Sequence, residues 1–128
     1  METFTFYPIG YFYTDAKEIP KHFSISEEEG KIVLDKKYTE AASDILPGEN
    51  LLVVFVFHKS PAFTLDRLKI VPFNRTEKRG LFSTASPVRP NPIGVSILTV
   101  KKVEDNVIYV KNIDMLNGTP ILDIKIYK

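Results

Sequence analysis

Two histidines, an acid and an ammonium near the C-terminus, and an arginine and an asparagine within a proline-rich loop are this chain's candidates for chemistry. His58 closes the most apolar run, which starts at Leu51, and precedes Lys59-Ser60-Pro61. A strand end opening onto a loop suits a reactive imidazole, because it titrates near neutrality and responds to a neighbouring lysine. A hydrogen-bonded structural histidine fits the same place. His22, in Pro20-Lys21-His22, lies in a polar stretch where simple solvation is the default. Asp123 and Lys125 stand two apart in an alternating run, so they share one face, with Leu122, Ile124 and Ile126 on the other. That pair is either an exposed ladder or, inside a barrel, two charges holding each other ionised beside a ligand.

Arg89 and Asn91 belong to Phe82-Ser83-Thr84-Ala85-Ser86-Pro87-Val88-Arg89-Pro90-Asn91-Pro92-Ile93-Gly94. Each proline fixes φ near −65° and pushes its predecessor toward extended backbone, so Ser86, Arg89 and Asn91 follow a stiff, non-helical path. Gly94 permits an unusual φ or a close backbone approach just before the β-branched run Val95–Val100. The loop is either a site held on a rigid scaffold or a corner with Arg89 solvated.

Composition narrows the classes. A chain of 128 residues is expected to form one domain over residues 1–128. With no cysteine, a disulfide framework and thiolate metal sites are excluded, which fits a cytoplasmic protein, and two histidines leave little for a metal centre. No apolar run reaches the roughly 18 residues of a membrane span, and no signal peptide precedes the alternating Thr3–Phe6. Net charge is only +1, yet from Arg67 to Arg89 six cations face Glu77 alone, a local +5. Such a stretch either tracks phosphates or forms a solvated loop.

The positioning elements are mostly short strands. Ile9–Tyr13, Phe23–Ser26, Lys31–Leu34, Leu51–His58, Leu68–Val71, Val95–Val103, Val107–Val110 and Ile121–Tyr127 are expected to be extended. Glu27–Gly30 would be an acidic hairpin tip between the second and third of these. The Leu51 run is expected to be buried on both faces. Tyr38–Ile45 suits a two-turn helix, Pro72–Arg79 a loop, and Gly80–Ser83 extended backbone. Asp105-Asn106 and Asn117-Gly118 mark turns. The fold class is mainly β: a small, partly open barrel of short antiparallel strands with one or two short helices, since closure removes exposed edges.

Two stretches together carry a resemblance: the proline loop, and Asp114…Gly118-Thr119-Pro120…Asp123-Ile124-Lys125. With Ile9-Gly10 and the strand end Phe55-Val56-Phe57-His58, they resemble the TsaA-like (TrmO) family over nearly the whole chain. That resemblance implies a small β-barrel binding S-adenosylmethionine, often as a homodimer with the cofactor near the subunit interface. It implies a methyltransferase acting on N6 of threonylcarbamoyladenosine beside the anticodon of tRNA, here in the short form without an extra C-terminal domain.

By the same resemblance the cofactor site would comprise Pro20, Lys21, His22, His58, Lys59, Ala85, Gly94, Val95, Ile121, Leu122, Asp123 and Ile124. Arg89, Asn91 and Lys125 would meet the substrate, Asp123 or His58 would act as general base, and no metal is expected. The chain departs from the family pattern at Lys21-His22, Lys59, Ala85 and Ile126. Ala85 stands where an arginine's planar fork is usual, and lysine elsewhere does not reproduce that fork. The alternative is a non-catalytic ligand- or RNA-binding member of the same fold. A different small-molecule enzyme, with His58 as base, rests on that residue's position alone.

Overall fold

In the computed structural model, which describes residues Met1–Lys128, the alternating runs become eight strands. These are β1 (Gly10–Tyr13), β2 (Glu29–Leu34), β3 (Asn50–Val56), β4 (Lys69–Ile70), β5 (Arg79–Gly80), β6 (Ile93–Glu104), β7 (Val107–Lys111) and β8 (Pro120–Tyr127). The helical segments are all 3-10 turns, the longest being Lys36–Ala42. The chain divides into two compact units, Met1–Phe55 with Val95–Lys128, and Val56–Gly94.

The first unit holds the barrel. Its strands run antiparallel in the order β1-β2-β7-β6-β3-β8 and close on themselves. The inward positions Phe12, Ile32, Leu51, Val53, Leu98, Ile108 and Ile121 are all but fully buried. Burying each such side chain contributes about 1.5–3 kcal/mol. The closing seam is thin: β1 and β8 share only the pairs Gly10↔Ile121 and Tyr11↔Pro120. The Asn117-Gly118-Thr119 turn reinforces it. Gly118 N–H donates to the Phe12 carbonyl at 2.7 Å, Phe12 N–H to the Thr119 carbonyl at 2.9 Å, and Thr14 N–H to Asn117 Oδ1 at 2.9 Å. Gly118 has φ +83°, which explains glycine there. At Gly30 the reason is space, because a Cβ would collide with the Phe12 ring.

Two irregularities bend the sheet. The β6–β7 register shifts at Lys101, and the β3–β8 register shifts so that Val54 pairs with Asp123 and Phe55 with Ile121. Leu122 is the extra residue of the second bulge, which supplies local twist of the kind barrel closure uses.

Several expectations change. Thr3–Phe6 pairs with nothing, and Phe4 and Phe6 are exposed. Phe23–Ile25 is a 3-10 turn, because the His22 side chain captures the Ser24 N–H and Ser26 N–H returns to the Phe23 carbonyl. Local bonds of this kind compete with a ladder. Glu29-Gly30 therefore lie inside β2, which pairs with β1 and β7. The two-turn helix is the 3-10 segment Lys36–Ala42, begun by Asp35, whose carboxylate accepts from Lys37 N–H. Strand β3 has one fully buried face; Leu52, Val54 and Val56 on the other are half-buried.

In the second unit, β4 and β5 form a two-residue pair, Lys69↔Gly80 and Ile70↔Arg79. Gly80–Ser83 does not stay extended: Leu81–Ser83 is a 3-10 turn, with Leu81 N–H on the Leu68 carbonyl at 2.9 Å. Leu81 and Val88 are buried, whereas Leu65, Leu68, Val71, Phe73 and Phe82 are exposed.

Candidate functional site

Each unit carries part of the chemistry. In the barrel unit, residues far apart in sequence meet at Asp114. Its carboxylate accepts the Ser96 hydroxyl at 2.5 Å. Ser96 is fully buried on the inward row of β6, directly after Val95. Burial pushes the Asp114 carboxyl above its ordinary range, against the downward pull of the Ser96 hydroxyl, the Phe23 backbone and the nearby His22. His22 Nδ1 accepts Ser24 N–H at 3.2 Å and lies 2.7 Å from Ser24 Oγ. The ring stacks at a tilt on Phe23, with centroids 4.2 Å apart. The far end of the same segment is tied separately, by Ser26 Oγ to the Ile113 carbonyl at 2.5 Å and by Ile113 N–H to the Glu28 carbonyl at 3.2 Å.

Of the expected site residues in this unit, His22 and Val95 adjoin that cluster, with Pro20 half-buried and Lys21 exposed just before it. Ile121 is core, its carbonyl taken by Ile9 N–H at 2.7 Å. Asp123 and Lys125 form an ion pair at 2.9 Å, with side chains 50% and 66% exposed, so the pair lies on the outward face and not inside the barrel. The bulge corrects the expected parity too, since Leu122 falls at the register shift. Asp123 Oδ1 also accepts the Ile124 N–H at 2.9 Å. A cavity of about 560 Å³ in the barrel unit is lined by Tyr38, Leu51, Ile108, Asp123 and Ile124 among others; His22 and Asp114 do not line it.

In the second unit, Arg89 organises the proline loop. Its Nη1 donates to the carbonyls of Thr84 and Ser86, both at 3.0 Å, and the guanidinium lies 5.7 Å from the Phe82 ring centroid. Asn91 is exposed, and its carbonyl accepts Ile93 N–H at 2.7 Å. Ala85 is exposed and Gly94 buried. His58 and Lys59 lie beyond the end of β3 and are both exposed. Two residues after His58, Ser60 Oγ is buried without a hydrogen-bond partner.

Asp114, Ser96 and Ser60 were not among the expected site residues. Ser96 had a legible signal, as a hydroxyl on the inward parity between Gly94 and Leu98. No cluster of acidic and histidine side chains is arranged to hold a metal ion, and no helix is long and apolar enough to cross a membrane.

Residues 9–128 match the family model described as the tRNA-methyltransferase O N-terminal domain. A probable S-adenosyl-L-methionine-binding protein of Pyrococcus abyssi is 32% identical over 124 residues, covering 94% of this chain and 66% of that protein. Human tRNA (adenine(37)-N6)-methyltransferase is 45% identical over 75 residues, 59% of this chain and 17% of the human one. The crystal structure of TrmO from Pseudomonas aeruginosa superposes with a TM-score of 0.78 at 28% identity, covering all of this chain and 56% of that one. The chain thus spans less than two thirds of either the archaeal relative or the Pseudomonas enzyme. With the barrel in place and the family model running from just before β1 to the last residue, the chain belongs to the tRNA-methyltransferase O family through its N-terminal domain.

Proposed function

We propose that this chain binds S-adenosylmethionine and methylates N6 of threonylcarbamoyladenosine beside the anticodon of tRNA. The observation that carries the reading is the family match over residues 9–128. Within the barrel unit, a half-buried carboxylate at Asp114 with the His22 imidazole close by fits such a cofactor. Adenosylmethionine, when bound, supplies an electrophilic methyl group on a sulfonium.

The protein's part is alignment and proton handling. The buried Ser96 hydroxyl fixes the Asp114 carboxylate to β6, and the backbone after Gly94 would grip the ligand. The acceptor nitrogen has its lone pair delocalised into the carbamoyl group, so a base that removes its proton speeds attack. His58, with its imidazole exposed, and Asp123 are the candidates; Asp123 already shares its charge with Lys125. Arg67, Lys69, Arg75, Lys78 and Arg79 would track tRNA phosphates, and the exposed Phe73 ring offers a stacking surface for an unpaired base. The exposed apolar side chains of the second unit would suit a homodimer, and a tRNA substrate implies work in the cytoplasm.

A second reading keeps the fold without the reaction. It is favoured by Ala85 in place of the usual arginine and by Arg89 being engaged with its own loop. Mass spectrometry of tRNA from a strain lacking the protein, followed by reconstitution with the purified chain, separates the two. A methyl group gained on the modified adenosine is expected. Cofactor binding with no methyl gained would establish the second reading.

A further inference from the structure

Single exposed apolar side chains are ordinary on protein surfaces and call for no ligand. Phe82, in the second unit, differs because both its backbone and its ring are held. Its neighbour Leu81 is buried, and Leu81 N–H donates to the Leu68 carbonyl at 2.9 Å. The Leu81 carbonyl in turn accepts Thr84 N–H at 3.0 Å and the Thr84 hydroxyl at 2.7 Å, which closes the Leu81–Ser83 turn around Phe82. The Arg89 guanidinium lies over the ring, 5.7 Å from its centroid, and is itself fixed by its two bonds to the Thr84 and Ser86 carbonyls. With a cation on one face, Phe82 is still 80% exposed. The chain beside this turn is cationic: Lys69 pairs with Gly80 across β4 and β5, Arg79 precedes Gly80, and both side chains are exposed.

We propose that Phe82 is a stacking platform for an unpaired base of RNA, and that Arg89 is the residue that positions it. A flat ring braced by a cation on one face offers the other to a second flat π-system. A ring already fixed also binds without the cost of being ordered first. Lys69 and Arg79 set positive charge beside it, where the phosphate next to a stacked base would lie. A polyanion there meets opposite charge, whereas a second copy seated symmetrically on the same turn would set like charges together. The proposal rests on the tRNA reading for the identity of the RNA; the platform itself needs only that the chain binds RNA.

The test measures binding of an anticodon stem-loop RNA by fluorescence anisotropy to the wild-type chain, Phe82→Ala, Phe82→Tyr and Arg89→Lys, with sedimentation of each. F82A should bind about fivefold or more weakly at an unchanged log–log salt slope, because a ring and not a charge has gone. F82Y should stay within about twofold of wild type. R89K should weaken binding when Phe82 is present and add nothing in the F82A background. Wild-type affinity in F82A would overturn the platform, and an additive R89K loss would take Arg89 out of it. A loss in F82A that follows the breakup of a dimer on sedimentation would assign the ring to a contact between copies and overturn the proposal too. If F82A does not fold, Phe82→Trp decides: the chain has no other tryptophan, and oligoadenylate must quench its fluorescence. Wild type that binds no RNA would overturn both the platform and the tRNA reading. RNA binding that depends on Phe82 with no methyl group transferred would uphold the platform and place the failure in the methyltransferase reading.

Discussion

The two units of this molecule are built on opposite terms. Met1–Phe55 with Val95–Lys128 carries fourteen carboxylates against ten lysines and no arginine, a net −4, around a buried apolar core. Val56–Gly94 carries seven cationic side chains against two carboxylates, a net +5, and buries little beyond Leu81, Val88 and Gly94. All four arginines lie in the second unit, and one of them, Arg89, serves the loop rather than the surface. The contrast separates labour within one short chain: close packing where positions must be exact, and exposed charge with aromatic rings where a polyanion would be met.

The comparison breaks most visibly in the core. Ile108→Ala should cost about 2–5 kcal/mol in urea denaturation, since the side chain is fully buried in β7. Phe73→Ala, at a ring 66% exposed, should stay within about 0.5 kcal/mol. Equal losses would mean that the second unit has a core of its own strength. Next in size, replacing Arg75, Lys78 and Arg79 together by alanine should weaken tRNA binding and lower its log–log salt slope by about 2. An unchanged slope would remove that segment from the phosphate path.

A third test concerns pH and sharpens the role of the barrel unit. Burial raises the Asp114 carboxyl above its ordinary 3.8. The folded state therefore keeps this proton to higher pH than the unfolded state does, and its contribution is fully present below about 3.8 and lost as pH rises through the folded value. Wild-type stability relative to D114N should fall across that acid window and then level off. A difference that is flat or rises with pH would contradict the burial assigned here. Smallest of all, Lys125→Ala should change stability by no more than about 1 kcal/mol, as its pair with Asp123 is exposed. A larger loss would mean the pair is covered in the working protein.

Much of the fold was legible because the chain alternates cleanly where it is half-buried. Val95–Val100, the Asp105-Asn106 turn (Asp105 at φ +52°) and Asn117-Gly118 were readable for that reason. Phe23–Ser26 alternates equally well and yet is a turn, because His22 and Ser26 side chains satisfy backbone groups that a ladder would otherwise take. Periodicity does not register such a competition. The site was less legible still. Arg89 and Asn91 announced a loop, but whether a guanidinium points at a ligand or at its own carbonyls depends on χ angles that spacing does not encode. Asp114 stands in the Asp114…Gly118-Thr119-Pro120 stretch with no role legible there, because its partner Ser96 lies 18 residues back.

Leu122 has a consequence for anyone comparing or editing this strand. On its N-terminal side Ile121 turns into the barrel; past it Ile124, opposite the buried Val53, follows the same side, three positions on instead of two or four. Removing one residue there would shorten the chain trivially but force a choice on everything downstream, either dragging Asp123 into the oily interior or sliding the last strand along its neighbour. Length at that point is fixed more tightly than side-chain identity, so substitutions at 122 should be tolerated where deletions are not.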